Sequence, residues 1–158
     1  MGNLNLWGKF VLPLARLVPL GAAAPATESP VHRAAWTPLA EQGNPVAANG
    51  LGFLCQHGTG VPQDSKRAVE WYRGAARAGS DKAGANLGWM YGSGDGVQRD
   101  LVLSYMWYDI ALTTSAGGNA TAQQSLDHLG KIISDSDRTK AKQLAEGCWK
   151  SGFAECGG

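Results

Sequence analysis

The residues that come nearest to a chemical signature are Gly92-Ser93-Gly94-Asp95-Gly96-Val97. Glycine-rich turns at helix starts can cradle an anion with backbone N–H groups. This string lacks the Lys-Ser/Thr ending of a P-loop and follows a helical pattern where a P-loop needs a strand, so phosphate binding is not expected of it. His32, His57 and His128 lie far apart, and only the Cys55-x-His57 pair brings a second ligand type close. Zinc needs three or four converging ligands, so the sequence predicts no metal and no cofactor. No S-x-x-K, G-x-S-x-G or H-E-x-x-H string occurs, and these are the strings that carry nucleophiles and metalloprotease zinc. No catalytic residue is therefore assigned, and the chain is not read as an enzyme. A Ser, a His and an acid that meet only in space remain the alternative.

The totals narrow the class further. A chain of 158 residues, 44% hydrophobic, is long enough for one compact domain. Fourteen basic residues against thirteen acidic ones leave a net charge of +1. No basic cluster stands out, which argues against a nucleic-acid partner. Residues 1–26 differ from the rest: one Lys, an apolar stretch, then alanines. They read as a signal peptide with Ala24-Pro25-Ala26 as the cleavage motif, although Arg16, Pro13 and Pro19 interrupt the apolar run. Export to the periplasm or beyond is expected, a cytoplasmic location being the alternative. Arg16 also divides the segment too early for an integral membrane span, which needs roughly 20 apolar residues.

The elements behind these residues come in copies. At an offset of 36, Leu51/Leu87, Gly52/Gly88, Gly58/Gly94, Gly60/Gly96, Val61/Val97, Asp64/Asp100, Trp71/Trp107, Tyr72/Tyr108 and Ala75/Ala111 coincide without a gap, nine identities in 26 positions. Such a period marks stacked supersecondary units. In the later copy Ala83, Leu87 and Tyr91 recur at helical spacing. Gly92, Gly94 and Gly96 then stop that helix, and Asp100 caps the next, which carries Leu101, Tyr105, Tyr108, Ala111 and Leu112. The earlier copy repeats the plan, with Cys55 where Tyr91 stands, which reads as a small buried hydrophobe. The segment around Ala40 and Gly43 aligns with that around Ala76 and Gly79 and supplies the second helix of a preceding unit. Downstream, helices are predicted near 119–133 and over 135–149, the latter opened by a Ser134/Asp137 capping box. This last hairpin lacks the glycine turn and reads as a cap on the open end of the stack. Cys148 and Cys156 flank a glycine-containing end. In an oxidising compartment they would close a loop, contributing ~2–3 kcal/mol, and in a reducing one they would stay thiols.

The string A-x-x-x-L-G-x-x-Y-x-x-G-x-G-V-x-x-D followed by W-Y-x-x-A-A-x-x-G resembles the Sel-one-like repeat (SLR), a relative of the tetratricopeptide repeat. The likeness runs over roughly residues 30–156, and the tail with its paired cysteines is similar to the closing segment of exported bacterial SLR proteins. The resemblance implies an all-α, right-handed α/α solenoid of about seven helices. It divides one domain, 27–156, into a partial repeat 30–43, repeats 44–79 and 80–115, and a capping hairpin 119–152.

The resemblance also implies a module or adaptor that holds a protein or peptide on its concave face. Trp89 lies two residues from both Leu87 and Tyr91, so it points away from the core, and Phe53 is its counterpart one repeat earlier. Flanked by Asn49, Gln56 and Asn86, the two aromatics would form a ladder for a peptide. Two alternatives stand beside this. One is a weak β-lactam-binding or β-lactam-hydrolysing enzyme, as some cysteine-rich SLR proteins are, although those carry a disulfide inside each repeat and Cys55 has no such partner. The other is a structural accessory of an envelope complex. Oligomeric state is left open by a stack this short.

Overall fold

The computed structural model describes residues 28–153 and Cys156. The expected signal peptide, residues 1–26, and the side chain of His32 lie outside the described residues. Seven helices follow one another: α1 (Glu28–Glu41), α2 (Pro45–His57), α3 (Ser65–Arg77), α4 (Asp81–Ser93), α5 (Leu101–Thr114), α6 (Ala120–Leu129) and α7 (Asp135–Lys150). Among the described residues there is no strand, and no helix is long and apolar enough to cross a membrane. Each helix packs on the next through α5, which also carries both α6 and α7. This is an all-α solenoid.

Local chemistry accounts for the helix ends. Asn44 opens α2 by accepting from the Val46 and Ala47 N–H groups at 3.0 Å, with Pro45 supplying a fixed φ at the first turn. Asp64 accepts from Arg67 N–H at 3.0 Å, and Asp100 from Val102 and Leu103 at 2.8 and 3.0 Å. Each carboxylate answers amides that an isolated helix start leaves bare. Ser134 accepts from Asp137 N–H at 3.1 Å, and its hydroxyl donates to the Asp137 carboxylate. α4 runs through Gly92 and stops only at Gly94, and α6 ends at Leu129, several residues before the predicted limit.

The glycine turn joins one unit to the previous one. Gly94 and Gly96 have φ of 80° and 71°, a region where L residues are crowded. A Cβ on Gly96 would also strike the Ser65 carbonyl at the start of α3. Within each hairpin, glycine serves close approach instead. A Cβ at Gly52 would lie 2.6 Å from the Tyr72 ring, and one at Gly88 2.8 Å from the Tyr108 ring. Each tyrosine of the second helix therefore lies flat on the backbone of the first. Trp107, Tyr72, Leu87, Met90, Met106 and Ile110 fill the core.

At the far end, α7 closes the stack and Cys148 is bonded to Cys156. Phe153 is buried in this loop at φ 68°, and its N–H returns to the Cys148 carbonyl at 2.8 Å. Cys55 is a free, buried thiol, so neither repeat carries a disulfide of its own among the described residues.

Candidate functional site

The first helices of successive hairpins, α2, α4 and α6, stand side by side. Asn86 Nδ2 on α4 donates to Asn49 Oδ1 on α2 at 3.1 Å, and Asn119 Nδ2, which caps α6, donates to Asp81 Oδ2 on α4 at 3.2 Å. Along this row Phe53 and Trp89 are half exposed, at 51% and 50%. They are the two positions at which the repeat register leaves an aromatic side chain without a core to enter.

Their surroundings differ. Phe53 rests against His57 one turn on, ring centroids 4.3 Å apart, so its own helix covers part of it. Trp89 instead borders a groove of about 440 Å³ between α4, α5 and the α6 segment. Gly88, Ser104, Tyr108 and Leu129 are the buried part of its lining, and Trp89, Ser93, Arg99, Gln124, His128 and Ile132 the exposed rim. Burial pushes the Tyr108 phenol pKa up, partly offset by a hydrogen bond with Ser125, so the floor of the groove keeps its proton at neutral pH. Ser104 Oγ donates to the Gly88 carbonyl at 2.6 Å, which leaves that stretch of floor satisfied and uncharged. Arg99 is held at the rim by Nε donating to the Gly92 carbonyl at 2.9 Å. Ile132, at 55% exposed, supplies a second apolar edge.

The ladder read from the sequence needs one correction. Gln56 does not flank it: the side chain is 8% exposed, and its Oε1 accepts from the Tyr72 hydroxyl at 2.7 Å. One helical turn beyond Gly52, it points at α3 and gives the buried phenol its acceptor, and burial pushes the Tyr72 pKa well above the ordinary phenol range. Asn49 and Asn86 do lie on the row, but they are spent largely on each other. They border a shallow hollow of about 420 Å³ with Asp81, Lys82, Asn119 and Thr121. His128, set aside in the sequence as a metal ligand, and Ile132 were not read as binding residues because the groove wall they form belongs to the capping hairpin. One period beyond Trp89 stands Ser125, so the offset carries no aromatic there. His57 stands at the end of α2 and His128 in α6, and no group of three or more His, Cys, Asp or Glu side chains converges among the described residues.

Comparison with known proteins follows the same register. Residues 45–80 and 82–112 match the family model of the Sel1 repeat. Among solved structures, c5321, described as a protective antigen present in uropathogenic Escherichia coli strains displaying an SLR fold, is 27% identical over 77% of this chain and 27% of its own, with a TM-score of 0.70. A Sel1 repeat protein from Oxalobacter formigenes is 32% identical over 73% of this chain and 45% of its own, with a TM-score of 0.55. The chain therefore spans less than half the length of either. No curated protein sequence matches it significantly.

Proposed function

We propose that this chain, which carries two Sel1 repeats over 45–80 and 82–112, acts as an adaptor, gripping a protein or peptide segment in the groove beside Trp89. Proteins built from these repeats are generally protein-interaction modules. The observation that carries the finer reading is the half-exposed Trp89 on the rim of a groove whose other edge is the exposed Ile132. A large amphipathic ring beside a partly desolvated trough is the kind of anchor that concentrates binding energy. Phe53 extends the contact by one repeat along the same row. Around the groove, the rim offers Arg99 and His128 as donors, so the reading favours an extended segment with an apolar anchor and carbonyl or carboxylate acceptors. Export belongs to this reading, because a structural disulfide such as Cys148–Cys156 is characteristic of oxidising compartments.

The test is capture of a partner from an envelope extract by the oxidised chain, beside a Trp89→Ala/Phe53→Ala control. Loss of one anchor of this kind costs about 2 kcal/mol or more, roughly thirtyfold in affinity. Both side chains are half exposed, so helicity and melting should stay close to the parent. Capture that is equal in the control would remove the groove from the mechanism.

A further inference from the structure

We propose that the first repeat holds a preformed slot for a small aryl carboxylate, a planar ring of phenol size bearing an anionic group. The inference stands apart from the groove beside Trp89 and comes from setting the two repeats on one another.

Their backbones are pinned alike. Asp64 N–H donates to the Cys55 carbonyl at 2.8 Å, and Asp100 N–H to the Tyr91 carbonyl at 2.9 Å. Gln63 Nε2 donates to the Gln56 carbonyl at 3.0 Å, as Arg99 Nε does to Gly92 at 2.9 Å. Gly58 and Gly94 end the two helices in the same left-handed conformation. Within this common frame the second repeat places a buried tyrosine ring, Tyr91, whose hydroxyl accepts from the Arg73 guanidinium of α3. What is left beside it is a hollow of about 310 Å³.

In the first repeat the matching side chain is Cys55, which ends at Sγ. The same seven positions, 36 residues earlier, line a cavity of about 390 Å³ that also reaches Leu51, Leu54 and Trp71. Where the second repeat supplies its own ring, the first has an opening with an aliphatic floor and an indole wall. Its mouth carries Arg33 and Arg67, and among the described residues no carboxylate forms an ion pair with either. The acid in the lining, Asp64, already caps α3. A ring entering this slot would therefore bring its charge to two guanidinium groups, which bind carboxylates through paired N–H donors. Burial pushes the Cys55 thiol pKa up, so at neutral pH the wall presents a neutral S–H and the binding is non-covalent.

The experiment titrates the full, oxidised chain with 4-hydroxyphenylacetate, with phenol, and with a short peptide ending in tyrosine. It follows indole N–H resonances and the alkylation rate of Cys55, the free thiol of the described chain. The expected result is saturable binding of the free acid, with a dissociation constant on the order of 1 mM for a ligand of so few atoms. Phenol should bind about tenfold more weakly, lacking the charge-assisted pair, and Cys55 should be protected from alkylation. Cys55→Tyr should abolish binding by filling the slot from within. Should that variant fold poorly, Arg67→Gln decides: it should weaken the acid about tenfold and leave phenol unchanged. No saturable shift at Trp71 with the free acid would overturn the proposal. So would binding unaffected by both variants, or binding of the peptide alone, which would make the slot a protein contact.

Discussion

The two repeats of this chain use one frame for two purposes. In α5, Trp107 is 1% exposed, while its counterpart Trp71 in α3 stays partly open and walls a cavity. α5 carries two helices beyond its own hairpin partner, whereas α3 packs against α2 and α4. One period apart, Arg73 reaches Tyr91 of the following unit, and Asp109 comes under the influence of Lys142 on the capping hairpin. Motif residues thus set the backbone, and the residues between them decide whether a unit is filled, open or joined to something else. A repeat can be emptied at one side chain without changing its fold.

The largest expected effect is on the frame itself. Gly96→Val adds a branched side chain at φ 71° and drives it into the Ser65 carbonyl, for a loss on the order of 4 kcal/mol from backbone strain and overpacking together. A denaturant midpoint equal to that of the parent would show that the turn does not lock one unit to the previous one. Next comes Tyr91→Cys, which gives the second repeat the residue of the first. Removing a buried ring should cost roughly 3 kcal/mol and open a hollow like that around Cys55. Unchanged stability would mean that Tyr91 is not what fills the second repeat, and the contrast between the units would fail.

The smallest effect concerns Asp109. Burial raises its carboxyl pKa, and Lys142 lowers it in part. With the folded value above the unfolded one, the native state holds this proton more tightly. Its contribution to stability is therefore present in acid and is lost as pH rises from about 4 through the folded value. Asp109→Asn removes that loss. Urea midpoints should show the variant gaining on the parent between pH 4 and pH 7. A gap independent of pH would place the carboxyl in an ordinary solvated setting.

Much of the fold was legible because it rests on local rules. Asp64, Asp100 and Ser134 announce helix starts by side-chain chemistry alone, and Gly58 and Gly94 announce helix ends. The exposed pair Phe53 and Trp89 followed from helical angle, since two residues from a core position is nearly the opposite face. Gln56, read as a flank of that pair, was misplaced. Its polarity suggested a surface, but the buried Tyr72 hydroxyl needed an acceptor, and satisfying a buried donor outweighs leaving an amide in water. The hairpin that walls the groove lacks the repeat pattern, so Ile132 and His128 carried no register by which to be found.

By itself, the sequence determined the period of 36 residues, the helix-turn-helix plan of each repeat and the substitution of Cys55 for Tyr91. These depend on contacts within one hairpin, where spacing along the chain is spacing in space. Only the tertiary structure decided that Trp89 borders a groove, that Gln56 is spent on Tyr72, and that Arg33, Arg67 and Trp71 surround the space left by Cys55. Those outcomes depend on how one hairpin settles on the next, through side chains from three helices at once, and no linear offset records which side of a helix its neighbour will cover.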